Sequence, residues 1–174
     1  MKSENNLLPP FVIASLYKDE LVIIDTPTNS KKVELIKERA AQTINFLGNN
    51  QKKITILLSD PTAVHVADES LQFLTSILAA CKLNMGDVAI VNMANQTCVY
   101  KQIKAALTPT TLILFNITAA AIALPFEVPL YQVQAYDNCT LLFATPLETM
   151  LVKDENAKTE KGKLWNALKK IFNI

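Results

Sequence analysis

Residues 53–85, KITILLSDPTAVHVADESLQFLTSILAACKLNM, decide how this chain is read. The apolar run Ile54 to Leu58 breaks at Ser59-Asp60-Pro61 and is followed by an amphipathic pattern of Leu71, Leu74, Ile77, Leu78 and Cys81. A buried strand, a polar loop and a helix packed back on the strand account for that change of period. In α/β proteins the loop at the carboxyl end of a strand is where ligands are sought first. Asp60, Pro61 and His65 therefore become the first candidates for a strand-end pocket. Asp68 is a good N-cap for the helix, Glu69 suits its positive start, and Asn84 and Gly86 close it.

The same strand and helix alternation continues downstream. Val88 to Met93 is a second buried strand, Asn95 can cap a helix carrying Val99, Ile103, Ala106 and Leu107, and Pro109 stops it. Thr111 to Ile117 is a third apolar strand, with Asn116 near its end as a base reader or, more plainly, a turn former. Strands that are apolar throughout belong in a parallel sheet covered on both faces. Tyr131 to Tyr136, Asp137-Asn138 and Thr140 to Ala144 read as strand, turn and strand. Thr145, Pro146 and Glu148 spell a capping box for a short helix, Lys153 to Lys163 reads as a charged loop, and Leu164, Trp165, Leu168, Ile171 and Phe172 form one face of a final helix.

Upstream, Met1 to Pro10 is a polar tail ended by two prolines, so the division is a tail at 1–10 and a single α/β domain at 11–174. Phe11 to Leu16 and Glu20 to Ile24 suggest a hairpin, and Val33, Ile36, Ala40, Ile44 and Leu47 a helix stopped by Gly48. Half of the 174 residues are hydrophobic, enough for a substantial core. A net charge of +1 argues against an autonomous DNA binder, leaving any nucleic-acid contact weak or indirect. Lys163, Lys169 and Lys170 form the one candidate phosphate-contact patch, weighed against an ordinary solvated face.

Cys81, Cys98 and Cys139 are scattered in apolar surroundings, which points to inert core thiols in a reducing compartment and to no metal site. With three glycines the chain carries no dinucleotide fingerprint, and no cofactor is expected. The N-terminus lacks a signal-peptide apolar region, which favours the cytoplasm, and Leu112 to Phe126 is short of a membrane span.

The order of these pieces, with NMGDVAIVNM and the terminal block ATPLETMLVKDENAKTEKGKLWNALKKI, resembles the psi subunit of the bacterial DNA polymerase III clamp loader. Ala144-Thr145-Pro146-Leu147 and Lys163-Leu164-Trp165 carry the most specific part of the likeness, which spans residues 53–174. The resemblance implies a three-layer α/β/α sandwich with a short, mainly parallel central sheet, similar to uracil-DNA glycosylases. It also implies a non-catalytic subunit that bridges clamp-loader subunits and a chi-like partner of single-stranded-DNA-binding protein. The N-terminal tether would fall to the segment bearing Leu7, Leu8 and Phe11.

Glycosylase chemistry is the competing expectation, with Asp60 as the base that orients water. Against it, Thr62 stands where the glycosylase loop carries tyrosine, His65 is the one histidine, and the second, His-Pro-Ser-like motif is replaced by Ala144-Thr145-Pro146. A small-molecule site at the Asp60/His65 loop is the third possibility.

Overall fold

A computed structural model describes residues 44–174. The tail, tether, hairpin and most of the first helix expected from the sequence lie outside the described residues.

Among the described residues six strands form one mixed sheet: β1 (Leu47–Gly48), β2 (Ile54–Leu58), β3 (Val88–Asn92), β4 (Thr111–Phe115), β5 (Val133–Tyr136) and β6 (Cys139–Ala144). Their spatial order is β1-β3-β2-β4-β6-β5. The inner four are parallel, while β1 and β5 close the edges antiparallel. Every residue of β2, β3 and β4 is buried, as strands covered on both faces require.

The connections obey a simple handedness argument. From β2 the chain crosses to β3 on one side, then reverses past β2 to reach β4. Right-handed crossovers in opposite directions place their helices on opposite faces. Accordingly α1 (Asp68–Ala80) packs Leu74 and Leu78 against Ile54, Ile56 and Ile90 on one face. Helix α2 (Tyr100–Leu107) packs Tyr100, Ile103 and Leu107 against Leu57, Val91 and Leu114 on the other. The step from β4 to β6 keeps the second direction, and its 3-10 turn, Ala120–Ile122, buries Ile122 on the α2 face. After β6 the chain returns to the α1 face, where α3 (Leu147–Leu151) and α4 (Glu155–Phe172) add Leu147, Met150, Leu164 and Leu168 to the first cluster.

Several expectations need correction. Leu47 and Gly48 end no helix; they pair with Ile90 and Ala89 at the edge of the sheet. Gly48 has φ +106°, and a Cβ there would lie 2.2 Å from the Val88 carbonyl oxygen, so glycine is required by both conformation and space. The start of α1 is capped by Ala67, with Asp68 already the first helical residue, and the helix closes at Cys81, ahead of Asn84 and Gly86. Asn95 does not open α2. Its amide donates to the carbonyls of Ala63 and Val64 at 2.8 and 2.9 Å, and the helix starts after Val99, whose N–H is accepted by the Gln102 side chain at 3.0 Å.

The third strand stops at Phe115 because Asn116 turns left-handed at φ 56°. The predicted hairpin holds: Asp137 and Asn138 both have positive φ, the backbone of a tight primed turn between β5 and β6. Thr145 forms no capping box, since its hydroxyl is 2.6 Å from that of Tyr131 and α3 begins after Pro146.

The largest correction is the charged segment. Residues from Glu155 onward are helical, not loop. Asp154 caps the helix by accepting the Ala157 N–H at 2.6 Å, and Lys158 reaches Glu155 while Lys163 reaches Glu160, each three residues on. A polar helix face stitched by such pairs carries too few apolar residues for periodicity to reveal it.

Candidate functional site

Because β3 lies on one side of β2 and β4 on the other, consecutive connections leave the carboxyl ends of β2 and β4 in opposite directions. That reversal opens a crevice in doubly wound sheets. Here it is an open groove of about 470 Å³ between the loop after β2 and the turn after β4, lined by Ser59, Asp60, Pro61, Ser70, Asn116 and Glu148 among others. An inner recess toward Leu58, Phe115 and Leu147 has a volume of only about 10 Å³, room for no more than a water molecule.

The loop that forms the groove's wall is held from both sides. Asp60, 5% exposed, accepts the Thr62 N–H at 2.9 Å and the Thr62 hydroxyl at 2.6 Å on one carboxylate oxygen, and the Ala67 N–H at 2.8 Å on the other. The Thr62 hydroxyl bond, helped by backbone N–H donors, outweighs burial and holds the Asp60 carboxyl below its ordinary range. Behind it stands Asn92, the last residue of β3, whose Oδ1 accepts the Asp60 N–H at 3.0 Å and whose amide donates to the Asp60 and Ala63 carbonyls at 2.7 and 2.9 Å. Asp60 is thus an ionised loop organiser. A general base works best with a pKa near the operating pH, and this carboxylate has been moved the other way.

The sequence candidates separate accordingly. Asp60, Pro61 and Asn116 come together in the groove, whereas His65 sits half-buried in the same loop without lining it. Asn116 has an exposed side chain without a hydrogen bond among the described residues, and its backbone N–H bonds to Ala144 across the strand ends at 3.1 Å. Its left-handed φ is the turn-former's conformation.

Lys163 and Lys170 lie two turns apart on one face of α4, but Lys169 points about 120° away, so the three do not converge. Lys163 is also engaged, 2.8 Å from Glu160 and over the Tyr131 ring at 5.9 Å. Trp165 packs half-buried against the first core cluster, an anchor and not a stacking platform. Leu7, Leu8 and Phe11 lie outside the described residues.

Ser70, Glu148 and Asn92 were not among the candidate site residues, and Glu148 figured only in a capping box. Asn92 had a signal: it is a polar residue inside the otherwise apolar run Val88 to Met93, and a fully buried amide must find partners. Ser70 and Glu148 reach the groove only through the packing of α1 and α3. Cys81, Cys98 and Cys139 are buried and unbridged, and burial raises all three thiols, Cys139 to about 11. Among the described residues no group of His, Cys, Asp and Glu could hold a metal ion, and no helix is long and apolar enough to cross a membrane.

No protein-family model matches the chain. No curated protein matches it either.

Proposed function

We propose that this chain is a non-catalytic protein–protein interaction subunit of a replicative clamp loader, psi-like, bridging the clamp-loader subunits and a chi-like partner in the cytoplasm. On this reading the mixed sheet with helices on both faces is a uracil-DNA-glycosylase-like sandwich whose chemistry has been replaced by structure. The observation that carries the proposal is the engagement of Asp60: both of its carboxylate oxygens are bonded within its own loop. The residues that resemble psi act in the same structural way. Leu147 and Leu164 are buried anchors at 3% and 2% exposure, and Thr145 is tied to Tyr131. Those anchors set α3 and α4 against α1, leaving the outer faces of the helices for partners.

Reconstitution tests the proposal: the full chain mixed with purified clamp-loader motor subunits and chi should co-elute with both in size-exclusion chromatography. Separate elution of all components at micromolar concentration would reject it.

A second reading, a nucleobase-directed hydrolase or its remnant, is favoured by one observation, the meeting of Asp60 and Asn116 at the strand-switch groove. It must contend with an inner recess far too small for a base and with a groove that no exposed aromatic ring lines among the described residues. Release of uracil from single-stranded DNA, lost in Asp60→Ala, would establish it.

A further inference from the structure

Among the described residues the sheet has two edges, and they are closed differently. At one, β1 is two residues long, and the chain beyond it stays tied to the foot of β3 by the N–H groups of Asn50, Gln51 and Lys52, bonded to Val88, Gly86 and Asp87 at 3.0 Å each. At the other, β5 presents Val133-Gln134-Ala135-Tyr136, with neither a charge nor a proline among them, and the first three are exposed. Shortness, charge and proline are the usual guards of an edge, because an unpaired strand accepts another. The β5 edge has no charge, no proline and twice the length of β1.

The ladder determines which backbone groups β5 offers. The Thr140 N–H bonds to the Thr110 carbonyl at 2.9 Å, so Thr140 turns toward β4 and its neighbours Cys139 and Leu141 turn toward β5. Those two face Tyr136 and Gln134, which leaves the N–H and C=O of Val133 and Ala135 turned outward. No backbone partner meets them among the described residues; the Ala135 carbonyl accepts only the side-chain amide of its own neighbour Gln134, at 3.2 Å. The hairpin is also anchored, since Asp137 in its turn pairs with Lys104 of α2 at 2.5 Å.

We propose that β5 pairs with β5 of a second copy of this chain, antiparallel about a two-fold axis at Gln134, joining the two sheets into one. This register uses both outward residues: Val133 of each copy exchanges its backbone bonds with Ala135 of the other. Sliding the pair one way sets Val133 against Asp137, whose positive φ has left the strand, and sliding it the other sets Ala135 against Tyr131, which has turned left-handed too. The side chains favour the same register. On one face Val133 lies beside Ala135, a branched side chain against a small one; on the other the two Gln134 amides meet across the axis, each with a donor and an acceptor for its counterpart. A foreign strand could meet the backbone groups, but the side-chain match repeats on both sides of the axis only when the second strand is a copy of the first. The proposal is independent of which assembly the chain joins.

Sedimentation of the full chain tests it. The expected behaviour is a monomer–dimer equilibrium with a dissociation constant between about 10 and 500 µM, as a small interface implies. Gln134→Lys and Gln134→Glu, at an exposed position, should melt as the wild type does, yet each should weaken the dimer about fivefold or more by setting like charges directly opposite each other. An equimolar mixture of the two variants should restore association to the wild-type level or beyond. Gln134→Cys gives a readout independent of charge: a non-hydrogen-bonded antiparallel pair has its Cα atoms about 4.5 Å apart, so mild oxidation should yield a covalent dimer. Gln72→Cys, exposed on α1, should not cross-link. A chain that stays monomeric throughout that range, a dimer indifferent to both charge variants, a mixture no tighter than either variant alone, or no cross-link through Gln134→Cys would each overturn the inference.

Discussion

Asn92 and Asp60, 32 residues apart, hold each other by a reciprocal pair of bonds: the Asp60 N–H reaches Asn92 Oδ1 at 3.0 Å, and Asn92 Nδ2 returns to the Asp60 carbonyl at 2.7 Å. The pair ties the end of β3 to the loop after β2, and so fixes the wall of the groove. Asn92 Oδ1 also accepts the Ala94 N–H at 3.0 Å, so one side chain organises the exits of two neighbouring strands.

Asn92→Ala removes all of these partners at a 1% exposed position. Orphaning buried backbone groups should cost about 2–3 kcal/mol, seen as a lower urea midpoint with an unchanged slope. Asn92→Asp should not rescue, because it points an acceptor at the Asp60 and Ala63 carbonyls. Wild-type stability in either variant would mean that the loop is held by other means.

Asp60 makes stability depend on pH in one direction. Its carboxyl is held below the ordinary value of 3.8 in the folded state. The stabilisation is therefore fully present above the unfolded pKa and is lost as pH falls through the lower folded pKa. Asp60→Asn should be less stable near neutrality, and the gap to wild type should narrow below about pH 4. Parallel acid-denaturation profiles for the two proteins would contradict the assignment of Asp60 as an ionised loop organiser.

Two glycines should respond with opposite signs. Gly48→Ala forces a Cβ into the Val88 carbonyl at a positive φ, and should destabilise by at least about 2 kcal/mol while freeing β1 from β3. Gly162 lies inside α4 with nothing within 4 Å of an added Cβ, so Gly162→Ala should stabilise by about 1 kcal/mol. Thermal melts of both variants check the pair, and equal effects would contradict the placement of one or the other.

The framework was legible where burial leaves a local trace. The runs Ile54 to Leu58, Val88 to Asn92 and Thr111 to Phe115 announce strands because both of their faces are covered. From them the mainly parallel sheet follows, and the strand-end rule leads to Asp60, Pro61 and Asn116. What stayed hidden depends on residues distant in sequence. Asn95 is a good helix cap in isolation, but the carbonyls of Ala63 and Val64, more than 30 residues earlier, claim its amide. Thr145 loses its capping role to Tyr131 in the same way. The C-terminal half of α4 was legible from Leu164, Trp165, Leu168, Ile171 and Phe172, but its first half, Glu155 to Lys163, was masked by its charges, whose i,i+3 pairing is regular but leaves no apolar stripe there. Glu148 joins the groove only because α3 follows β6 back to the α1 face, a matter of strand order that no local pattern encodes, whereas Ser70 stands in the first turn of α1 directly after the Asp60 loop.

The central claim, that this α/β scaffold serves assembly and not catalysis, is tested most directly by affinity capture of the full chain from its native cells with quantitative mass spectrometry. The account predicts that clamp-loader subunits and a chi-like protein are enriched together, and that the enrichment is unchanged in a variant such as Asp60→Asn that remains folded. Capture without any clamp-loader subunit would contradict it.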